Sequence, residues 1–329
     1  MSKSALIVGI DYYSNPKYKN LSFCKTDANN INKLLMNNGD DESTPNFETI
    51  YKVATSKDTV INAVSLKEDI KQLFASKHNE TVLFYFSGHG SISASNEGYI
   101  TTSDATSMNN GVSMVDILKF ANKSPVRNKI IILDTCHSGS IGTHPTNTKL
   151  SVIGEGVTIL TASSLEQVAY ERVFTDLLID ALDGSAASII GQITPGSIYS
   201  YIDKSLGNFE QRPIFKTNTS AFVEIRKIKP FVKINELKQI VKIFQYASTI
   251  YPLDQTYESD KMVPPEYKDK KKCILKNHVI FRILQKFNSA RLVVPIDEDH
   301  MYYAAMNETG CKLTRTGMHY WDLVNRNKI

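Results

Sequence analysis

Residues 81–90 read TVLFYFSGHG and residues 129–139 read KIIILDTCHSG. Each is an apolar run that stops abruptly at a small, polar turn. Runs of this length without polar alternation fit strands buried on both faces of a parallel sheet. In such sheets reactive groups gather at the carboxyl edge of the strands. These two runs end in His89 and Cys136. A thiol becomes a nucleophile when its thiolate is generated or stabilised, and an imidazole with an ordinary pKa of about 6.5 can do this. The two groups must be close in space, not in sequence, and neighbouring strand ends supply that closeness. Gly88, Gly90 and Gly139 let the backbone turn tightly and present N–H groups. The N–H groups of Gly90 and Cys136 are candidates for an oxyanion hole.

Working outward, strand-like and helix-like signals alternate over the first 225 residues. Ala5–Ile10 reads as a buried strand, 25–37 as a helix, Phe47–Val53 as a strand and 58–77 as a helix. Ser113 caps an expected helix through Ala121, Val157–Leu160 reads as a strand and Phe174–Leu182 as a helix. Pro195 and Gly196 open another helix, and Ser220–Ile225 is expected as the closing strand. This alternation predicts an α/β fold with a mostly parallel central sheet flanked by helices. Residues 138–150, rich in Gly, Ser, Thr, Asn and Pro, read as a loop after Cys136.

The bland alternatives are real. A cysteine after an apolar strand is commonly core, and a lone histidine is commonly a satisfied polar group. A zinc site from His89, Cys136, His137 and His144 matches no standard ligand spacing. The four cysteines, Cys24, Cys136, Cys273 and Cys311, contain no C-x-x-C pair and suit reduced thiols in a reducing compartment. No apolar run approaches the ~18–20 residues of a membrane span. The apolar start is cut by Asp11, so it makes a poor signal peptide and a cytoplasmic, membrane-free protein is expected.

At this point the motifs carry a family resemblance. Ser87-Gly-His-Gly90 and Asp134-Thr-Cys-His-Ser-Gly139 resemble the two signatures of the caspase and metacaspase superfamily of cysteine peptidases. The opening strand to Asp11, the Cys24 to Ala28 segment, and Thr161–Ser164 followed by Tyr170-Glu171 and Val173–Thr175 are similar to further parts of that family, closest to its bacterial metacaspase side. The resemblance covers roughly residues 4–225. It implies a caspase-like sandwich, with a large-subunit-like part at 1–150 and a small-subunit-like part at 151–228. It implies that His89 is the general base and that Cys136 attacks the peptide carbonyl to form a thioester acyl-enzyme. It places Asp27, Asp134 and Ser87 in an acidic S1 pocket, so that cleavage follows Arg or Lys, because a guanidinium or ammonium pairs well with two carboxylates. The alternative role for Asp27 is capping of its own helix. Family members are often processed between their halves, which makes Lys149 a candidate self-cleavage site. No cofactor is implied. Calcium dependence occurs in the family, but Asp40-Asp41-Glu42, the one loose oxygen-rich run, reads better as a solvated turn.

Charge divides the chain. Residues 1–225 carry 19 Lys/Arg and 23 Asp/Glu, net −4, and residues 226–329 carry 19 and 11, net +8. Pro230 marks a plausible linker, so a basic unit is expected at 229–329. There, helical spacing runs over 233–250 and Asn277–Phe287, Arg291–Val294 reads as a strand, Met301–Ala304 as a second, and Thr314 caps a last helix. Helix, strand pair and helix resemble a small α+β, winged-helix-like module. Such a module takes either a protein partner or sensor, or nucleic acid. By analogy, peptidases fused to such modules act as effectors in bacterial defence or signalling. The competing readings are a catalytically silent scaffold and a DNA-binding regulator.

Overall fold

Lys3–Ile10 forms β1, and its residues divide strictly by parity: Leu6, Val8 and Ile10 enter one core, Ala5 and Ile7 the other. A strand covered on both faces needs apolar residues at every position, which is why the run shows no alternation. The computed structural model describes residues 2–106, 109–135, 152–162, 172–206, 212–261 and 264–329. After β1 follow α1 (Cys24–Met36), β2 (Glu48–Ala54), α2 (Ala63–Phe74) and β3 (Thr81–Ser87). A small antiparallel sheet comes next, β4 (Gly90–Ile92), β5 (Gly98–Ile100) and β6 (Val112–Ser113), then α3 (Met114–Lys123) and β7 (Asn128–Asp134). The unit continues with β8 (Val157–Thr161), α4 (Val173–Asp180), β9 (Gln192–Ile193), α5 (Pro195–Ser205), β10 (Ile214–Asn218) and β11 (Arg226–Lys227).

The central sheet has the order β10-β8-β7-β3-β1-β2. Its strands are parallel except β10, which runs antiparallel to β8. Helices α2 and α3 cover one face and α1, α4 and α5 the other. The fold is therefore α/β, a mostly parallel sheet flanked by helices, as expected. Local signals fix the helix starts: the side chains of Asn62, Ser113 and Thr194 accept backbone N–H groups at the starts of α2, α3 and α5.

Two expectations in this unit change. The closing strand lies at Ile214–Asn218, not at Ser220–Ile225. Lys216, Thr217 and Asn218 disguise it, because an edge strand needs little apolar sequence. The hairpin of β4 and β5 was not legible, since its strands are short and partly exposed.

Residues 1–229 and 230–329 form two separate compact units. In the second, α6 (Ile234–Leu237), α7 (Ile240–Ile243), β12 (Ile250–Tyr251), α8 (Leu275–Ser289), β13 (Val293–Pro295), α9 (Met301–Met306), β14 (Cys311–Leu313) and α10 (Arg315–Asn325) follow in turn. Their sheet is antiparallel, in the order β12-β14-β13. Met301–Met306 is helical, not a strand, and the helix expected over 233–250 ends at Ile243. There Phe244 turns to extended backbone and buries its ring, and its carbonyl accepts the Trp321 indole N–H at 2.7 Å. Tertiary burial of one aromatic overrides the helical spacing around it.

Candidate functional site

The site is assembled at the carboxyl ends of β1, β3 and β7. Strands β3 and β7 pair in parallel register, with Ser87 opposite Asp134. The Gly88 N–H donates to the Asp134 carbonyl at 3.3 Å. His89 thus stands two residues beyond a paired position, and Cys136 follows two residues after Asp134 in the sequence. Cys136 itself lies outside the described residues, as do Lys149, the loop 138–150 and the segment 163–171. Gly88 is closely surrounded: a Cβ there would stand 2.8 Å from both the Phe86 ring and the Tyr13 hydroxyl, so one of those side chains would have to shift.

His89 is held on three sides. Its backbone N–H donates to the Tyr13 hydroxyl at 2.7 Å, and its carbonyl accepts the Thr101 N–H at 2.9 Å. The Tyr13 and Tyr18 rings flank the imidazole at 4.7 and 5.8 Å between centroids. Nε2 stands 2.7 Å from the Lys19 carbonyl oxygen. A carbonyl can only accept, so Nε2 carries the proton and Nδ1 keeps its lone pair. In the neutral imidazole the tautomer is thus fixed by a backbone group, and Nδ1 is the nitrogen left with a lone pair. Tyr13 and the Lys19 carbonyl were not found from the sequence. A backbone acceptor has no sequence signature, and Tyr13 sits among other tyrosines.

Gly90 opens β4 opposite Ile100. The neighbouring pair, His89 and Thr101, is the hydrogen-bonded one. Antiparallel ladders alternate bonded and non-bonded pairs, so the Gly90 N–H points away from β5 and is not consumed by it.

Asp27, Asp134 and Ser87 come together beneath this rim. Asp27 lies inside the first turn of α1, whose N-cap position is Phe23. Asp27 is thus not the cap: Asp11, at the end of β1, accepts the Cys24 and Lys25 N–H groups at 2.8 and 3.2 Å. Gly9 permits this approach, because a Cβ there would stand 2.2 Å from the Cys24 carbonyl oxygen. Ser87 is buried close to the Cys24 thiol.

Asp27 is buried, and its Oδ1 has no hydrogen-bond partner among the described residues. Burial, then the charge of Asp134, raises its pKa to about 7, against a lowering by Arg172. Burial raises Asp134 to about 6, opposed by hydrogen bonds from Thr175. The Thr175 hydroxyl donates to Asp134 Oδ2 at 2.6 Å. Arg172, at the start of α4, bonds Asp176 at 3.1 Å and lies over the Phe23 ring at 4.8 Å. Two carboxylates, one with an oxygen that has no partner among the described residues, therefore stand near each other in buried surroundings. Among the described residues, no group of three or more His, Cys, Asp or Glu could hold a metal ion. Asp40 spends its carboxylate on the Thr44 N–H and hydroxyl, at 3.2 and 3.0 Å. Among the described residues, no helix is long and apolar enough to cross a membrane.

Comparison with known proteins bears on the first unit. No curated protein matches this chain. Among solved structures, a Geobacter sulfurreducens protein is similar at 14% identity and a TM-score of 0.49, covering 70% of this chain and 98% of its own. Caspase-1 from Spodoptera frugiperda is similar at 12% identity and a TM-score of 0.49, covering 69% of this chain and 90% of its own. The pro-form of the Spodoptera caspase matches at 11% identity, a TM-score of 0.45 and coverage of 68% and 94%. The family model for the caspase domain, Peptidase C14, matches residues 2–223. That match spans well over half the sequence, and the chain belongs to the caspase-domain family of peptidase C14.

Proposed function

We propose that this protein is a cysteine endopeptidase in which His89 Nδ1 deprotonates the Cys136 thiol. The thiolate attacks a peptide carbonyl, the amine leaves with a proton returned by the imidazole, and water hydrolyses the thioester. The N–H groups of Gly90 and Cys136 stabilise the oxyanion. The observation that carries this reading is the parallel register of Ser87 with Asp134, each two residues ahead of a dyad member. The fixed Nε2 contact with the Lys19 carbonyl favours an active base over a silent scaffold. The test is labelling with an electrophilic peptide ending in Arg. The protein forms a covalent adduct at Cys136, and the Cys136→Ala variant forms none. Absence of any adduct across a panel of P1 residues, with the fold intact, favours the scaffold.

Substrates are cleaved after Arg or Lys, in a pocket made by Asp27, Asp134 and Ser87. The paired buried carboxylates support this, since desolvated carboxylates gain most from a cationic partner. Self-cleavage at Lys149 is part of the same reading. Identical intact masses for the native and Cys136→Ala proteins under activating conditions would refute it.

The C-terminal unit is a winged-helix-like module, supported by its sheet order β12-β14-β13. Its partner is a protein. Ile274, Leu275 and Val279, at the start of α8, are 51, 77 and 53% exposed. An exposed aliphatic stripe is poorly suited to a phosphate backbone and well suited to a protein groove. Binding to DNA that weakens steeply with salt would favour the nucleic-acid alternative.

A further inference from the structure

We infer that Thr175, anchored by Tyr85, is a positioning residue that aims Asp134 into the pocket for the basic P1 side chain. The inference rests on the basic-pocket reading above. The Tyr85 ring is fully buried, and its hydroxyl lies 2.7 Å from Thr175 Oγ1. Thr175 is also fully buried and lies 2.6 Å from Asp134 Oδ2. An ionised carboxylate only accepts, so the single proton of Thr175 goes to Asp134. The Thr175 oxygen is then the acceptor for the Tyr85 proton. The relay runs one way, from Tyr85 through Thr175 to Asp134.

Each link does separate work. Tyr85 sits on β3 and Asp134 ends β7, so both are fixed by the sheet, whereas Thr175 comes from α4. The bridge thereby ties the first turn of α4 to the strand that leads into Cys136. Asp134 thereby holds a residue in the first turn of α4 through the Thr175 hydroxyl. Arg172 provides no side-chain cap there. The hydroxyl donor holds one carboxylate oxygen in place and favours the ionised form against the cost of burial. No such donor reaches Asp27 Oδ1 among the described residues. The pocket thus holds one carboxylate kept ready and one that ionises when a cation arrives.

The test uses the full chain, a peptide with P1 Arg, and the variants Thr175→Val, Thr175→Ser and Tyr85→Phe. Steady-state rates are measured from pH 5.5 to 8.5, together with melting temperatures. Thr175→Val keeps the shape and removes the donor. Its KM is expected to rise about tenfold or more, with kcat within about twofold, as befits loss of a hydrogen bond to a charged group. The pH midpoint of kcat/KM moves upward by about one unit. Thr175→Ser restores KM and the midpoint, and Tyr85→Phe lies between. A folded Thr175→Val protein with unchanged KM and midpoint overturns the inference, as does a loss confined to kcat. If Thr175→Val does not fold, Tyr85→Phe decides by the same readings. A native protein that turns over other P1 residues but not Arg or Lys overturns the pocket reading itself, before any variant is compared.

Discussion

Ser87 and Asp134 stand directly opposite each other at the ends of two parallel strands, and this one pairing sets the geometry of the whole rim. His89 leaves one strand and the chain to Cys136 leaves the other, so any shift of register would misplace both. Register between buried parallel strands is held by side chains packing on both faces. Phe84 and Phe86 pack on one face and Tyr85 on the other.

Loss of either dyad member should abolish turnover. His89→Ala and Cys136→Ala are each expected to lower kcat/KM by about a thousandfold or more, with little change in melting temperature. A His89→Ala protein retaining most of its rate would remove the base from the mechanism.

Tyr13 should matter without touching substrate. Its hydroxyl accepts the His89 N–H, so Tyr13→Phe leaves a backbone donor unsatisfied and lets the imidazole drift. The expected result is a fall in kcat of about tenfold, with KM nearly constant. Stopped assays at saturating peptide separate the two quantities.

Affinity for a P1 Arg should grow with pH. Asp134 and Asp27 have pKa values raised to about 6 and about 7, so both hold protons at pH 5.5 and neither does at pH 8. A cation binds the ionised pair, and KM should fall by about tenfold across that window. A neutral P1 side chain provides the control, whose KM should stay flat.

Asp27→Asn should stabilise the fold while weakening the pocket. The folded pKa of Asp27 is raised to about 7 from an ordinary 3.8, so the folded state binds the proton more tightly than the unfolded one. Stability is therefore lost as pH rises from about 4 to 7. Removing the charge should recover on the order of 2 kcal/mol at pH 8 and almost nothing at pH 4. Melting curves at the two pH values read this directly, and an equal gain at both would contradict it.

Gly9→Ala should be poorly tolerated. The added Cβ meets the Cys24 carbonyl, a backbone atom that cannot swing aside. Either α1 moves off the sheet or β1 bends, at a cost of about 2 kcal/mol or more. A drop of several degrees in melting temperature is expected, with loss of activity, because α1 carries Asp27.

The sequence by itself determined five of the six strands of the central sheet, most of its helices and the candidate pair at its edge. Buried parallel strands must be apolar throughout, and cap residues such as Ser113 and Thr194 mark helix starts locally. The edge strand Ile214–Asn218 escaped because solvent excuses its polar residues, and Met301–Met306 escaped because a short apolar run has no clear period. Only the tertiary structure decided how the site is tuned. The Lys19 carbonyl on His89, the Asp11 cap on α1 and the Tyr85–Thr175–Asp134 relay join residues far apart in the chain. Such contacts leave no periodic or compositional trace, since a hydrogen bond across a fold depends on where two groups finish in space and not on their neighbours in sequence.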